Sequence, residues 1–543
     1  MRQVAAGDTT GSLRFMELVG DREGERLDLH EQPTSHARAR LTLVVVSLGV
    51  MMVGIDGSVV SIANPFIARS LHASLADLQW VTNAYLLSLA VLLIVGGKLG
   101  DRYGRKVMFL TGVIGFALAS VAIGLVGSIS GVIAFRVVQG AFGAILMPNT
   151  LALLRSAYSE DDLTRAVGTW SSAAGAATAA GPILGGLLVD NVSWESVFYL
   201  NVPVAIATVA LGLPYLLESR ESHRDPIDWP GVLTLAGGLS ALIYGLVKGQ
   251  EWGWVTGRTL GTLGAAVVLL AGFVLVESRA PAPLLPLWLF KDRSVSMGSL
   301  IVLLNFFALF GVLFFVSLYL QSVSGYSALS AGLRTLPLTA VFSLSSPLGA
   351  RVTTRFGPRI PIGVGLLSVA AALLLLTSLE PDSAYWHLWP EFILLGLGIG
   401  MVISASTEAI VGNVDIDHAG VAGGLQATSI QLGGVLGTAV LGSVLAGRVG
   451  SVLFGKLSNA GVAPDLAHQV LAQKEIVGQG VAPIPPGTAT DAAAAIAHGS
   501  HAAFMSGLHV SMFVAAAITL VGAALTPLIR RGEPVAEGAV LPV

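Results

Sequence analysis

The chain has 543 residues, 54% of them hydrophobic and only 12% charged, and its mean hydropathy of +0.77 excludes an ordinary soluble enzyme or nucleic-acid binder. A formal net charge of −3 says little about partners, because the placement of Lys and Arg among the loops of a membrane protein matters more than their sum. Cysteine is absent, which excludes a disulfide framework, a thiolate metal site and a catalytic thiol.

Residues 1–41 are polar, carry Arg2, Arg14, Arg22, Arg26, Arg38 and Arg40, and lack the apolar core of a signal peptide, so they read as a cytoplasmic tail. Apolar runs long enough to cross a hydrocarbon core of ~30 Å then recur almost end to end. Spans are expected near 42–67, 79–99, 107–127, 131–156, 165–189, 196–216, 230–248, 258–278, 295–318, 331–349, 358–378, 387–408, 421–446 and 503–530. Fourteen spans return the carboxyl end to the side of the amino end. Arg102, Arg105, Lys106, Arg220, Arg224, Arg279, Lys291, Arg293, Arg351, Arg355, Arg359, Arg530 and Arg531 then all fall inside, while the short outer loops 128–130, 190–195, 322–330 and 379–386 hold no Lys or Arg.

The expected division is a six-helix bundle over 42–216, a linker with two extra spans over 217–294, a second six-helix bundle over 295–530 and a cytoplasmic tail over 531–543. An outer loop at 447–502 is too polar to span, with some helix expected near Ala463 to Ala472. The decapeptide Gly97-Lys98-Leu99-Gly100-Asp101-Arg102-Tyr103-Gly104-Arg105-Lys106 is too charged for hydrocarbon and must turn in water between spans two and three. Thr353-Thr354-Arg355-Phe356-Gly357-Pro358-Arg359 echoes its second part, with Thr354 in place of the acid. Such internal symmetry is expected of a transporter built from two halves around a central path.

Two of the charges inside spans share a depth. Counting about 1.5 Å per residue, Asp56 sits roughly 20 Å above the inner face, and Arg136 on the inward-running fourth span sits roughly 8 Å below the outer face of a ~30 Å core. An acid and a base at one depth can pair, and protonation of the acid would release the arginine. In the fifth span the small-residue run from Gly168 through Gly181-Pro182-Ile183-Leu184-Gly185-Gly186 favours close helix contact and a kink.

These stretches resemble one family. Gly97, Leu99, Asp101, Arg102, Gly104, Arg105 and Lys106 match the loop between spans two and three of the major facilitator superfamily. Asp56 resembles the first-span acid of its fourteen-span drug:proton antiporters, the QacA/EmrB type. Arg136-x-x-Gln139-Gly140-x-x-Gly143 resembles the fourth-span motif associated with proton coupling, and Gly168, Gly181, Pro182, Gly185 and Gly186 resemble the antiporter motif of exporters. Ala177 replaces a glycine of that motif, and Glu195 and Ser196 depart from the family's Trp-Arg-Trp at the start of Trp194-Glu195-Ser196-Val197-Phe198-Tyr199-Leu200-Asn201-Val202-Pro203. The resemblance implies an all-α fold of two pseudo-symmetric six-helix bundles plus two linker helices. It further implies a gate at the Gly97–Lys106 loop, proton coupling at Asp56 and Arg136, and export of drugs, antibiotics or other amphipathic compounds by an actinobacterial-like exporter.

Asn83, Gln139, Trp170, Asn305, Glu391 and Gln426 are candidates for the cargo cavity, with Glu391 as a counter-charge for a cationic cargo. His498, His501 and His509 lack an acid-rich shell, so no metal is expected. No phosphate-cradling G-x-x-x-x-G-K-[ST] loop occurs, leaving the proton gradient as the driving force and no cofactor. The expectation is a monomeric exporter in a bacterial plasma membrane, both termini cytoplasmic, with an amphipathic or cationic small molecule, protons and lipid as its partners. The alternatives are a proton-coupled importer or facilitator of a nutrient, and a membrane sensor that no longer transports.

Overall fold

The computed structural model describes residues 36–220, 226–412, 414 and 419–530; the expected tail arginines at 2, 14, 22 and 26, together with Arg224, Arg531 and the 531–543 tail, lie outside these residues. Among the described residues fourteen long helices run as α1 His36–Leu71, α2 Leu75–Tyr103, α3 Arg105–Leu125, α4 Ile129–Ala157, α5 Glu160–Asn191, α6 Ser196–Tyr215, α7 Trp229–Trp252, α8 Gly257–Glu277, α9 Arg293–Leu318, α10 Leu336–Phe356, α11 Arg359–Leu375, α12 Trp389–Val411, α13 Ala419–Asn459 and α14 Thr490–Leu525. Five of their starts are written in capping side chains. Ser74 and Asp77 form a reciprocal capping box on α2, and Ser128, Asp228, Thr256 and Asp292 accept backbone N–H bonds at the starts of α4, α7, α8 and α9.

Thirteen helices are apolar enough to cross a membrane by length and composition. The fourteenth, α10, has 21 residues and so the same reach, but Thr339, Ser343, Ser345, Ser346, Thr353 and Thr354 lower its hydropathy. Its polar face is spent on protein. Ser345 Oγ donates to the Gly396 carbonyl at 3.0 Å, and α12 meets it through Gly396 and Gly400.

Three expected boundaries need correction. The tenth span starts at Leu336, not at 331, because Ala328–Arg334 forms a separate short helix capped by Ser327. The outer segment is shorter than 447–502, since α13 continues to Asn459 and α14 begins at Thr490. Polarity stops a chain from spanning hydrocarbon but does not stop a helix, and α13 runs on until the turn at Gly461, where φ is +81°. Alanines 492–495 favour helix in the same way ahead of α14. Between them lie Pro464–Leu471, within the segment expected to be helical, and Lys474–Val477.

The first six helices and the last six form two bundles whose apolar cores merge most extensively at one end. There Ile55, Val59, Trp194 and Phe198 belong to the same buried cluster as Phe307, Phe315, Leu320 and Ala328. At the other end the buried core divides. Val45, Phe109 and Leu153 belong to a first-bundle cluster that extends to α7 and, at Val435 and Ala439, to α13, whereas Val295, Ile410 and Leu425 and, separately, Ile301, Leu366 and Val402 pack within the second bundle. Hydrogen bonds between the bundles gather at the merged end or near mid-height: Ser317 Oγ to the Ser61 carbonyl (2.7 Å), Gln321 Nε2 to the Ile62 carbonyl (3.2 Å), Gln79 Nε2 to the Thr438 carbonyl (2.8 Å) and Gln479 Nε2 to the Ala73 carbonyl (2.9 Å). The inserted helix α7 lies against the seam between α2 and α13, where Trp80 meets Tyr244 and Ser443 Oγ donates to the Leu246 carbonyl. Helix α8 packs on α7 and is otherwise largely exposed.

Candidate functional site

The site is built from the middle of α1 outward. Asp56 has no exposed surface and Arg136 is 1% exposed, so each needs the other. Arg136 Nη1 donates to Asp56 Oδ2 at 2.5 Å and to Gln139 Oε1 at 2.7 Å, while Arg136 Nε donates to the Val81 carbonyl of α2 at 3.0 Å. The second carboxylate oxygen accepts from Gln139 Nε2 at 2.8 Å and from Asn201 Nδ2 at 3.3 Å. Both amides also donate to Ser120 Oγ, at 2.8 and 3.1 Å, and Ser120 itself donates to the Phe116 carbonyl. The guanidinium lies 4.1 Å from the Tyr85 ring centroid and 5.9 Å from that of Phe198.

Five helices therefore meet on one ion pair, and the hydrogen-bond partners of Asp56, namely Arg136, Gln139 and Asn201, belong to the first bundle. A carboxylate so bound is stable while ionised. Adding one proton converts an acceptor into a donor, removes the charge that Arg136 answers and leaves that arginine buried with backbone, amide and aromatic faces alone. The arrangement thus has two distinct charge states.

Sequence reasoning brought Asp56 and Arg136 to one depth and they meet. Gln139, expected in a cargo cavity, belongs instead to this buried cluster, because it sits one helical turn from Arg136 on α4 and shares its face. Ser120 and Asn201 were not singled out as site residues. Asn201 had a signal, as a polar residue inside the expected span 196–216 and part of the family stretch that ends at Pro203; a single serine in α3 had none.

The charged decapeptide forms the corner between α2 and α3. Gly104 takes φ +112°, a conformation that side chains disfavour. Asp101 Oδ1 accepts from Arg105 Nη2 at 2.8 Å, and Glu218, just beyond α6, accepts from the Lys106 and Val107 N–H groups at 3.1 and 3.3 Å, capping α3. Lys106 Nζ reaches the Leu213 carbonyl, and Lys98 Nζ reaches those of Ala282 and Pro283 after α8. Arg102 stacks toward Tyr103 at 5.5 Å. A side chain on Gly100 would run into Asn149 of α4, whereas Gly97 faces Pro148 at an ordinary 3.7 Å.

On α5 the small residues serve unequal purposes. Gly181 and Gly185 meet α1 at Ser58 and Val59, and Gly186 meets the backbone of Ala328 and Leu329. The Pro182 carbonyl abuts Gly332, while Gly168 has open space around it. Ala177 is 1% exposed and faces Gly54 of α1, so the methyl missing from α1 is supplied by α5 and the helices still pack closely.

The remaining cavity candidates share no hydrogen bond with one another. Asn83 accepts from Thr438 Oγ1 across the α2–α13 seam, and Gln426 Nε2 donates to Thr407 Oγ1 at 2.6 Å within the second bundle. Both amide atoms of Asn305, the Trp170 indole N–H and Glu391 Oε2 are buried without a hydrogen-bond partner.

Residues 46–438 match the profile of the Major Facilitator Superfamily. The chain is 46% identical over 509 residues to the tetracenomycin C resistance and export protein of Streptomyces glaucescens, covering 92% of this chain and 94% of that protein. It is 35% identical to the multidrug resistance protein Stp of Mycobacterium tuberculosis over 80% of each chain. It is 36% identical to the puromycin resistance protein of Streptomyces alboniger over 76% of this chain and 82% of that one. Among solved structures, a bacterial homologue of the human lysosomal transporter Spinster, in an inward-facing and unoccupied conformation, superposes with a TM-score of 0.61 at 18% identity, over 92% of this chain and all of that one. At that identity the likeness shows the fold.

Proposed function

The chain belongs to the major facilitator superfamily, and on that premise we propose that this multi-pass membrane transporter exports drugs or antibiotics in exchange for protons. The observation that carries the proton half of the reading is the sealed Asp56–Arg136 pair, whose partners all lie in the first bundle. The export half is supported by relatives named for resistance and export. Proton and cargo then do not compete for one carboxylate. Protonation of Asp56 changes how α1 sits against α3, α4 and α6, and the bundles rock around a cleft between them.

With the amino end inside, as the loop charges imply, the merged end of the bundles faces outward. The cleft is then open to the cytoplasm at the Gly104 end, where the exporter collects cargo. The acid sits nearer the outer, proton-rich face. Its protonation favours opening outward, and its deprotonation toward the cytoplasm resets the pair.

The test is efflux from intact cells and uptake into inverted vesicles, with tetracenomycin C, puromycin and a fluorescent lipophilic cation as trial cargoes. The chain is compared with Asp56→Asn at matched expression. Transport that collapses with an uncoupler and falls at least tenfold in Asp56→Asn is the expected result; uncoupler-sensitive transport that Asp56→Asn leaves intact removes the acid from the mechanism.

A further inference from the structure

We infer that Asp190 is a positioning residue of the transport cycle: it latches the two bundles at their merged end, on a face of α5 that adjoins the helix carrying Asp56. This rests on the alternating-access reading above. Asp190 stands in the last turn of α5, and its two carboxylate oxygens accept the N–H groups of Ala328 (3.1 Å) and Leu329 (2.8 Å). Those donors open the short helix Ala328–Arg334, which joins α9 to α10 and so belongs to the other bundle. First-turn N–H groups have no partner within their own helix. Here two of them are satisfied across the bundle boundary, so separating the bundles at this end unmakes both bonds.

The face of α5 beneath Asp190 is shaped for the same contact. Pro182, Gly186 and Asp190 recur every fourth residue and form one stripe. Gly186 lets the Ala328–Leu329 backbone approach, and Gly332 opposite lets the Pro182 carbonyl approach. The neighbouring stripe, Ala177, Gly181 and Gly185, is turned toward α1 and touches it at Gly54, Ser58 and Val59, on either side of Asp56. The adjacent glycines Gly185 and Gly186 thus belong to different contacts. One fits α5 to the acid-bearing helix, and the other fits it to the opposite bundle. Beyond the acid, the carbonyls of Ser61 and Ile62 are themselves held by Ser317 and Gln321 of α9 and its extension. A shift of α1 on protonation is therefore felt at the latch through α5 and directly through α9.

Because the chain has no cysteine, spin labels can be placed without background. One pair, Val192→Cys with Ala384→Cys, reports the latched end from two exposed positions on opposite bundles; a second, Ser156→Cys with Thr354→Cys, reports the Gly104 end. In the purified full chain, Asp190→Ala is expected to lengthen the first distance and shorten the second, shifting the ratio of the two populations roughly threefold or more. Asp190→Glu, which keeps the carboxylate, should fall between Asp190→Ala and the parent. Gly186→Val should act in the same direction as Asp190→Ala by wedging the seam. If Asp190→Ala does not fold, Asp190→Asn is read instead, since it keeps the shape and loses the charge. Unchanged distances at both ends in a folded variant overturn the latch, and so does broadening at the first pair with no opposite change at the second. These distances need neither cargo nor a proton gradient, so a failed efflux assay and a failed latch are separate results.

Discussion

The corner at Gly104 and the corner at Gly357 are the same backbone device fastened in two different ways. Each ends one helix and starts the next through a glycine at positive φ, +112° and +77°. At the first, two carboxylates hold the corner: Asp101 pairs with Arg105, and Glu218 caps α3. At the second, the position of Asp101 is Thr354, whose hydroxyl turns back to the Arg351 carbonyl, and the position of Arg105 is Pro358. Arg359 binds the Ile529 carbonyl instead. The acid and its arginine are missing together, which teaches that they act as a unit. The charged fastening is confined to one bundle, so the two corners need not loosen together when the cleft changes sides.

The sharpest break of this comparison is at the glycines. Alanine at either position should cost about 1–3 kcal/mol from backbone conformation alone. Gly104→Ala should cost more, because its methyl would lie 2.6 Å from the Glu218 carboxylate and displace the cap. Thermal unfolding of the two variants in detergent checks the order, and equal losses would mean that Glu218 moves aside freely. Next is Glu218→Ala, expected to lose about 1 kcal/mol through the two uncapped N–H groups of α3 while leaving the second bundle unchanged. Hydrogen exchange localised to the first turn of α3 reads this directly. The smallest effect separates stability from transport. Asp101→Asn removes a partly exposed i,i+4 pair worth no more than about 0.5 kcal/mol, and Thr354→Asp should gain nothing because Pro358 offers no partner. Melting temperatures near the parent value for both, with efflux reduced only in Asp101→Asn, would show that the acid serves motion; a large drop in melting temperature for Asp101→Asn would make it a structural residue.

How far these features could be read in advance depended on whether they leave a local mark. Charge density alone put the decapeptide in water, and hydropathy put fourteen helices in order, missing where α10 starts and how far α13 and α14 run past hydrocarbon. Asp56 and Arg136 were legible because an ionised group in an apolar run is costly and a 1.5 Å rise fixes depth. Ser120, Asn201, Glu218 and Asp190 were not. Each acts through a partner more than 15 positions away, and a single polar residue near a helix end has many bland uses. Gln139 was placed with the cargo candidates for the same reason: depth sorts residues along the membrane normal but not by the face of the helix they occupy.

The inserted pair also changes what surrounds the molecule. In a bundle of two related halves the α2–α13 seam and the seam of α5 with α10 would present equivalent flanks to the bilayer, and either could admit a compound dissolved among the acyl chains. Here α7 covers the first, with Tyr244 against Trp80 and the Leu246 carbonyl tied to Ser443, and α8 stands outside it. Among the described residues one flank is walled by the inserted helices and the other is not. The molecule thus has a front and a back in the plane of the membrane as well as two ends across it.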